Sequence, residues 1–160
     1  MKKVVGVADM VVLSGNEDEI TTFALGSCLG ITIYDPEASV GGMLHVMLPD
    51  SSIDAAKAQK NPQMFVDTGV PALFRAAYAL GAKKERIVLK VAGGACMKGN
   101  ADDDYFQIGK RNYLALKKIL WKNGVMIQAE EVGGTQGRTM NLGLADGEVT
   151  IKKFNETTRL

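Results

Sequence analysis

Histidine is almost missing from this chain. It has one, His45, and only two cysteines, Cys28 and Cys96, in 160 residues. A zinc site needs more than one imidazole or two well-separated cysteine pairs, so a metal centre is not expected. Two cysteines do not make a disulfide framework, which points to free thiols in a reducing, cytoplasmic setting. Charge of one sign is not in surplus: 19 basic residues face 18 acidic ones, for a formal +1. No basic stripe or acidic tail stands out, which argues against a nucleic-acid partner or an anionic membrane surface. Long apolar runs are missing too. Asp9 interrupts the stretch "MKKVVGVADMVVLSG", so neither a signal peptide nor a membrane-inserted helix is expected. No GxGxxG or P-loop pattern is present, and no bound cofactor is implied.

What remains is an ordinary soluble composition, 46% apolar and 23% charged, in a length that suits one domain spanning residues 1–160. Strand patterns dominate the first third. "KKVVGVADMVVL", "EITTFALGS", "CLGITIYDP" and "SVGGMLHVMLP" are rich in β-branched residues and punctuated by glycine and proline. Residues 50–61 are polar and alanine-rich and read as a mobile loop. A helical face follows in Met64, Phe65, Leu73, Phe74, Ala77 and Leu80, with Asn61-Pro62 before it and Gly81 after it. Pro71 is expected to split that segment. "RIVLKVAGGA" and "VMIQAEEVGG" are strands running into Gly-Gly pairs, a hint of an internal pseudo-repeat. The polar stretch 97–106, with Asp102, Asp103 and Asp104, reads as a solvated loop. A second helix runs from about Gly109 to Lys122. "RTMNLGLADGEVTIKK" reads as a hairpin turning at Ala145-Asp146-Gly147. At least eight strands, clustered rather than alternating with helices, predict an α+β fold. It consists of a mixed β-sheet or sandwich flanked by two to three helices.

Chemistry concentrates between Thr22 and His45. A buried cysteine is commonly just a small hydrophobe, and a lone histidine in a strand is commonly structural. Cys28, however, comes directly after Gly26-Ser27 at a break between two strands. There a turn presents its side chain and can offer N–H groups to an oxyanion. His45 lies within reach of a neighbouring-strand contact. A free thiol is mostly protonated at neutral pH, so pairing with imidazole would favour the thiolate–imidazolium form. A third group must fix the ring, since its two nitrogens have different tasks. Thr21, Thr22 and Ser27 carry nearby oxygens, and Thr22 is the candidate, through either its hydroxyl or its carbonyl. Cys96 is expected to be a packing residue near the site, with a resolving thiol as the sharper alternative.

The motifs "TFALGSC", "HVMLPDS", "VDTGV", "VAGGACM", "IGKRN" and "VGGTQGR", in that order, resemble the CheD family of chemoreceptor glutamine deamidases over nearly the whole chain. The resemblance implies hydrolysis of selected glutamine side chains on methyl-accepting chemotaxis receptors. It places the nucleophile on Cys28, the base on His45 and the orienting residue on Thr22; the turn itself makes Gly26 and Ser27 the expected oxyanion and substrate-binding residues. It also implies association with a CheC-type phosphatase, and a fold similar to the catalytic domain of cytotoxic necrotizing factor toxins. Two positions depart from the pattern. Phe65 stands where a tyrosine is common, and Cys96 where a small residue such as serine is common.

Overall fold

The computed structural model describes residues 1–96 and 107–160; the expected acidic loop at 97–106 lies outside them. Ten strands and three α-helices are present among the described residues. The strands are β1 (Lys2–Val5), β2 (Asp9–Ser14), β3 (Glu19–Leu25), β4 (Leu29–Asp35), β5 (Val40–Val46), β6 (Val88–Gly93), β7 (Ile127–Val132), β8 (Arg138–Gly143), β9 (Val149–Lys153) and β10 (Glu156–Arg159). The helices are α1 (Ala55–Lys60), α2 (Val66–Ala79) and α3 (Ile108–Lys122).

The strands form two five-stranded sheets, ordered β1-β3-β8-β9-β10 and β2-β5-β4-β6-β7. Most pairs are antiparallel; β1–β3 and β6–β7 are parallel. The expected α+β class holds, as a sandwich with helices on one side.

Alternation along β5 explains the layering. Val40, Leu44 and Val46 face α2 and α3 and share a core with Val70, Leu73, Phe74, Leu116 and Leu120. Met43 and His45 point the other way, toward the first sheet. Met43 joins Ile20, Leu25, Met140, Leu142 and Ile151 there. Every residue of β4 and β5 is buried, because helices cover one face and a sheet covers the other. Burying a large apolar side chain contributes roughly 1.5–3 kcal/mol. The two cores therefore hold His45 in a rigid wall.

The structure corrects two local expectations. Residues 50–61 are ordered: a 3-10 turn at Ser51–Ile53 leads into α1, whose start is capped by Asp54 accepting from the Lys57 N–H at 3.1 Å. Pro71 does not split its helix. The break falls earlier, where the 3-10 turn Pro62–Met64 ends at extended Phe65, and α2 runs unbroken through Pro71. The buried contacts of Val70, Leu73 and Phe74 hold it there despite the lost N–H. The first valine-rich run, interrupted at Gly6, is two strands, and they lie in different sheets, β1 in one and β2 in the other, which the run itself does not announce. The Gly-Gly pairs end β6 and β7, which lie side by side and parallel, with the Gly133 N–H donating to the Gly93 carbonyl at 2.9 Å.

Candidate active site

A bulge builds the turn that carries Cys28. The register of β3 against β8 shifts between Thr22 and Leu25, and Ala24 takes a left-handed conformation, φ 59°. Bulges of this kind bend a strand and redirect the residues beyond them. The redirected residues are Gly26, Ser27 and Cys28, half-buried at the junction of β3 and β4.

The carbonyls of this turn are held one by one. The Ala95 N–H donates to Gly26 at 2.9 Å, the Asn112 side chain to Ser27 at 3.0 Å, and the Gly94 N–H to Cys28 at 2.9 Å. The exit of β6 is therefore the floor of the turn. Gly93, at φ 109°, passes so close that a Cβ there would lie 2.2 Å from the Cys28 carbonyl. Only glycine fits at that position.

Cys28 and His45 face the same layer. Gly30 stands opposite His45 in the β4–β5 ladder. The Gly30 face looks at Leu25 and Met140 of the other sheet. Cys28, two residues before Gly30, shares that face and packs on the same core. Extending the register makes Cys28 and His45 a diagonal cross-strand pair, an arrangement that spans about 7–8 Å.

The imidazole is fixed from the opposite sheet. Thr22 Oγ1 donates to the Val5 carbonyl at 2.8 Å and lies 2.7 Å from His45 Nδ1. A hydroxyl has one proton. Spent on Val5, it leaves Thr22 as acceptor, so the ring proton sits on Nδ1 and the lone pair on Nε2. Nε2 is buried with no hydrogen-bond partner among the described residues. Burial lowers the His45 pKa to about 4, so the ring is neutral. Burial also pushes the Cys28 thiol up, with its own backbone N–H pulling the other way. Both directions run against the expected thiolate–imidazolium pair. Desolvation favours a neutral thiol beside a neutral imidazole.

Thr21 faces away from Thr22 and donates to Asn141 Oδ1. Cys96 lies two residues beyond Gly94, and its N–H donates to the Gly134 carbonyl at 2.9 Å. No disulfide joins Cys28 to Cys96. Among the described residues no group of three or more His, Cys, Asp or Glu side chains converges on a metal-sized space. No helix among them is long and apolar enough to cross a membrane.

Three supporting residues escape a reading of the sequence, although each lies in one of the six motifs. Asn112 of "IGKRN" is fully buried beside the turn. Asp67 of "VDTGV" accepts from the Ser51 N–H at 2.9 Å and the Ser51 hydroxyl at 2.7 Å, tying down the segment after His45. Arg138 of "VGGTQGR" donates to the carbonyls of Gly93 and Gly133 and so pins both Gly-Gly exits. Other polar residues stand beside each of them in the same motifs, so nothing local singles these three out; their partners are set by tertiary contacts.

The profile of the family described as "CheD chemotactic sensory transduction" matches residues 47–153. A Solibacter usitatus protein called "Probable chemoreceptor glutamine deamidase CheD" is 49% identical over 98% of this chain and 92% of its own. A Syntrophus aciditrophicus protein of the same description is 46% identical over 93% of this chain and 92% of its own. A Pyrococcus horikoshii one is 41% identical over 98% and 95%. Among solved structures, a Neisseria meningitidis protein of the family DUF152 overlays with TM-score 0.48 and 10% identity over 83% of this chain and 63% of its own, too loosely to bear on the site. With its motifs in order along a chain that these relatives match almost end to end, this protein belongs to the CheD family.

Proposed function

We propose that the protein is a protein-glutamine glutaminase that converts glutamine side chains of chemotaxis receptors to glutamate, with Cys28 as nucleophile, His45 as base and Thr22 as the residue that orients the ring. The observation that carries this reading is the bond from Thr22 to Nδ1. It leaves Nε2 as a buried lone pair, on a ring that faces the same layer as Cys28. The relatives' descriptions supply the substrate class.

That geometry supports a two-stage cycle. Nε2 takes the thiol proton as Sγ bonds to the carboxamide carbon. The carbonyl oxygen becomes an oxyanion held by the N–H groups of Ser27 and Cys28; the Gly26 N–H, expected there from the sequence, is instead spent on the Ala24 carbonyl at 3.0 Å. Nε2–H then gives its proton to the leaving nitrogen, ammonia departs, and a thioester remains. Nε2 next takes a proton from water, the hydroxide adds to the thioester, and Sγ leaves with the proton back as thiol. Atoms and charge balance without a redox partner. The thiols fit a cytoplasmic setting. Association with a CheC-type phosphatase belongs to the same proposal and rests on the motif resemblance.

The reading is tested by incubating the protein with the cytoplasmic part of a cognate receptor and mapping its peptides by mass spectrometry. The expected result is Gln-to-Glu conversion at a few positions with the chain intact. Peptide-bond cleavage would replace the reading with a protease-like one.

A further inference from the structure

The first turn of α3 lies directly on the exit of β6. A Cβ on Gly109 would come within 2.6 Å of the Gly94 and Ala95 backbones. That approach brings Asn112, with no exposed surface, against the nucleophile turn. Its Nδ2 donates to the Ser27 carbonyl at 3.0 Å and to the Met47 carbonyl at 3.0 Å. Two protons meet two acceptors. The orientation is unambiguous, because a flipped amide would set Oδ1 against two carbonyl oxygens.

The Ser27 carbonyl is the one carbonyl of the turn held by a side chain; main-chain N–H groups hold those of Gly26 and Cys28. A trans peptide is planar, with its N–H opposite its C=O. The Ser27 carbonyl and the Cys28 N–H therefore turn as one unit. That N–H belongs to the nucleophile residue itself, beside whose thiol the oxygen of an attacked carboxamide collects its charge. Met47, the other acceptor, lies two residues past His45 at the end of β5.

We propose that Asn112 is a positioning residue for deamidation: it sets the plane of the Ser27–Cys28 peptide so that the Cys28 N–H meets the oxyanion, and it holds the His45 strand against the same turn. This rests on the reading of Cys28 as the nucleophile. A clamp that served folding alone would lower stability without singling out the step in which an oxyanion forms.

The test compares Asn112→Ala and Asn112→Leu with wild type in two reactions. One is turnover of a receptor fragment. The other is alkylation of Cys28 by iodoacetamide, in which the thiolate displaces iodide from a saturated carbon and no oxyanion forms. The expected result is a fall in kcat of about 10- to 100-fold, since a misaimed donor loses part of what a deleted one loses. KM and the alkylation rate should stay within about threefold of wild type. Near-wild-type kcat in a folded variant overturns the proposal. So does a fall in alkylation by the same factor as kcat. If neither variant folds, the wild-type protein decides by NMR. Couplings across hydrogen bonds from the Asn112 side-chain amide to the Ser27 and Met47 carbonyls are expected, and their absence overturns it. Failure of the underlying reading looks different: wild type would not deamidate, or Cys28→Ala would.

Discussion

Thr22 Oγ1 sits between two partners, 2.8 Å from the Val5 carbonyl and 2.7 Å from His45 Nδ1, and so passes the orientation of one sheet to an imidazole in the other. Val5 and Thr22 are paired neighbours in the first sheet, while His45 belongs to the second. The contact is made by the side chain rather than the backbone. Thr22→Ala should therefore lower turnover clearly, by at least the roughly 0.5–1.5 kcal/mol that a hydrogen bond contributes. Thr22→Ser keeps the hydroxyl and should retain most activity. Thr21→Ala removes a bond to Asn141 on the opposite face and should leave kcat near wild type. Steady-state kinetics of the three variants check the order; an inactive Thr21→Ala beside an active Thr22→Ala would contradict it.

Alkylation of Cys28 reports whether the thiol rests as an ion pair. Burial raises its pKa above the ordinary value, so the iodoacetamide rate should climb with pH well past neutrality. His45→Ala should leave that profile almost in place while removing turnover. A thiolate–imidazolium pair predicts the opposite: a plateau at low pH that collapses in His45→Ala.

Acid should affect rate and stability through the same ring. Nε2 accepts a proton only while the imidazole is neutral, so kcat/KM should hold down to pH near the His45 value of about 4 rather than break at the ordinary 6.5. Stability has the same sign. The unfolded chain binds a proton near pH 6.5 and the folded one only near 4, so between these values the unfolded state holds more protons. Stability is full above pH 6.5 and falls as pH drops toward 4, by roughly 2–3 kcal/mol for this group. Denaturant titrations at several pH values test this, with His45→Gln as the variant in which the slope should flatten.

Far from the site, Asp35 is a structural anchor. Burial alone would raise its pKa, but the Arg86 guanidinium and the N–H groups of Lys83, Ala38 and Glu37 outweigh it and hold the value at about 2. The Asp35 side chain is fully buried, and Arg86 is 2.9 Å away. Asp35→Ala leaves those donors without an acceptor and should cost about 3 kcal/mol, the range for breaking a buried pair. Turnover per folded molecule should be unchanged. A stability loss under 1 kcal/mol in the same denaturation experiment would contradict this assignment.

The residues of the candidate site could be picked out because its chemistry is sparse. One histidine and a Gly-Ser-Cys turn leave few combinations. The alternation of Thr21 and Thr22 across a strand limited the orienting residue to one of two. The strands were legible from β-branched runs, and α3 from its apolar spacing. Other features were not. Nothing local assigns β1 and β2 to different sheets, since that depends on long-range pairing with β3 and β5. β10 is exposed along its whole length and has no apolar alternation to read. The order in residues 50–61 comes from the local caps at Asp50 and Asp54 and from the two tertiary bonds between Ser51 and Asp67. The lowered pKa of His45 comes from burial on both faces of β5, which a sequence reports only once the second sheet is known.

The most direct test of the central claim tracks Gln-to-Glu conversion in a receptor cytoplasmic fragment with four proteins: wild type, Cys28→Ala, His45→Ala and the double variant. Cysteine and alanine differ little in volume, so the fold should persist in Cys28→Ala. The account predicts conversion by wild type, no detectable conversion by Cys28→Ala, a loss nearly as large in His45→Ala, and a double variant no worse than either single one, because the two side chains act as a unit. Conversion by Cys28→Ala at the wild-type rate would contradict it.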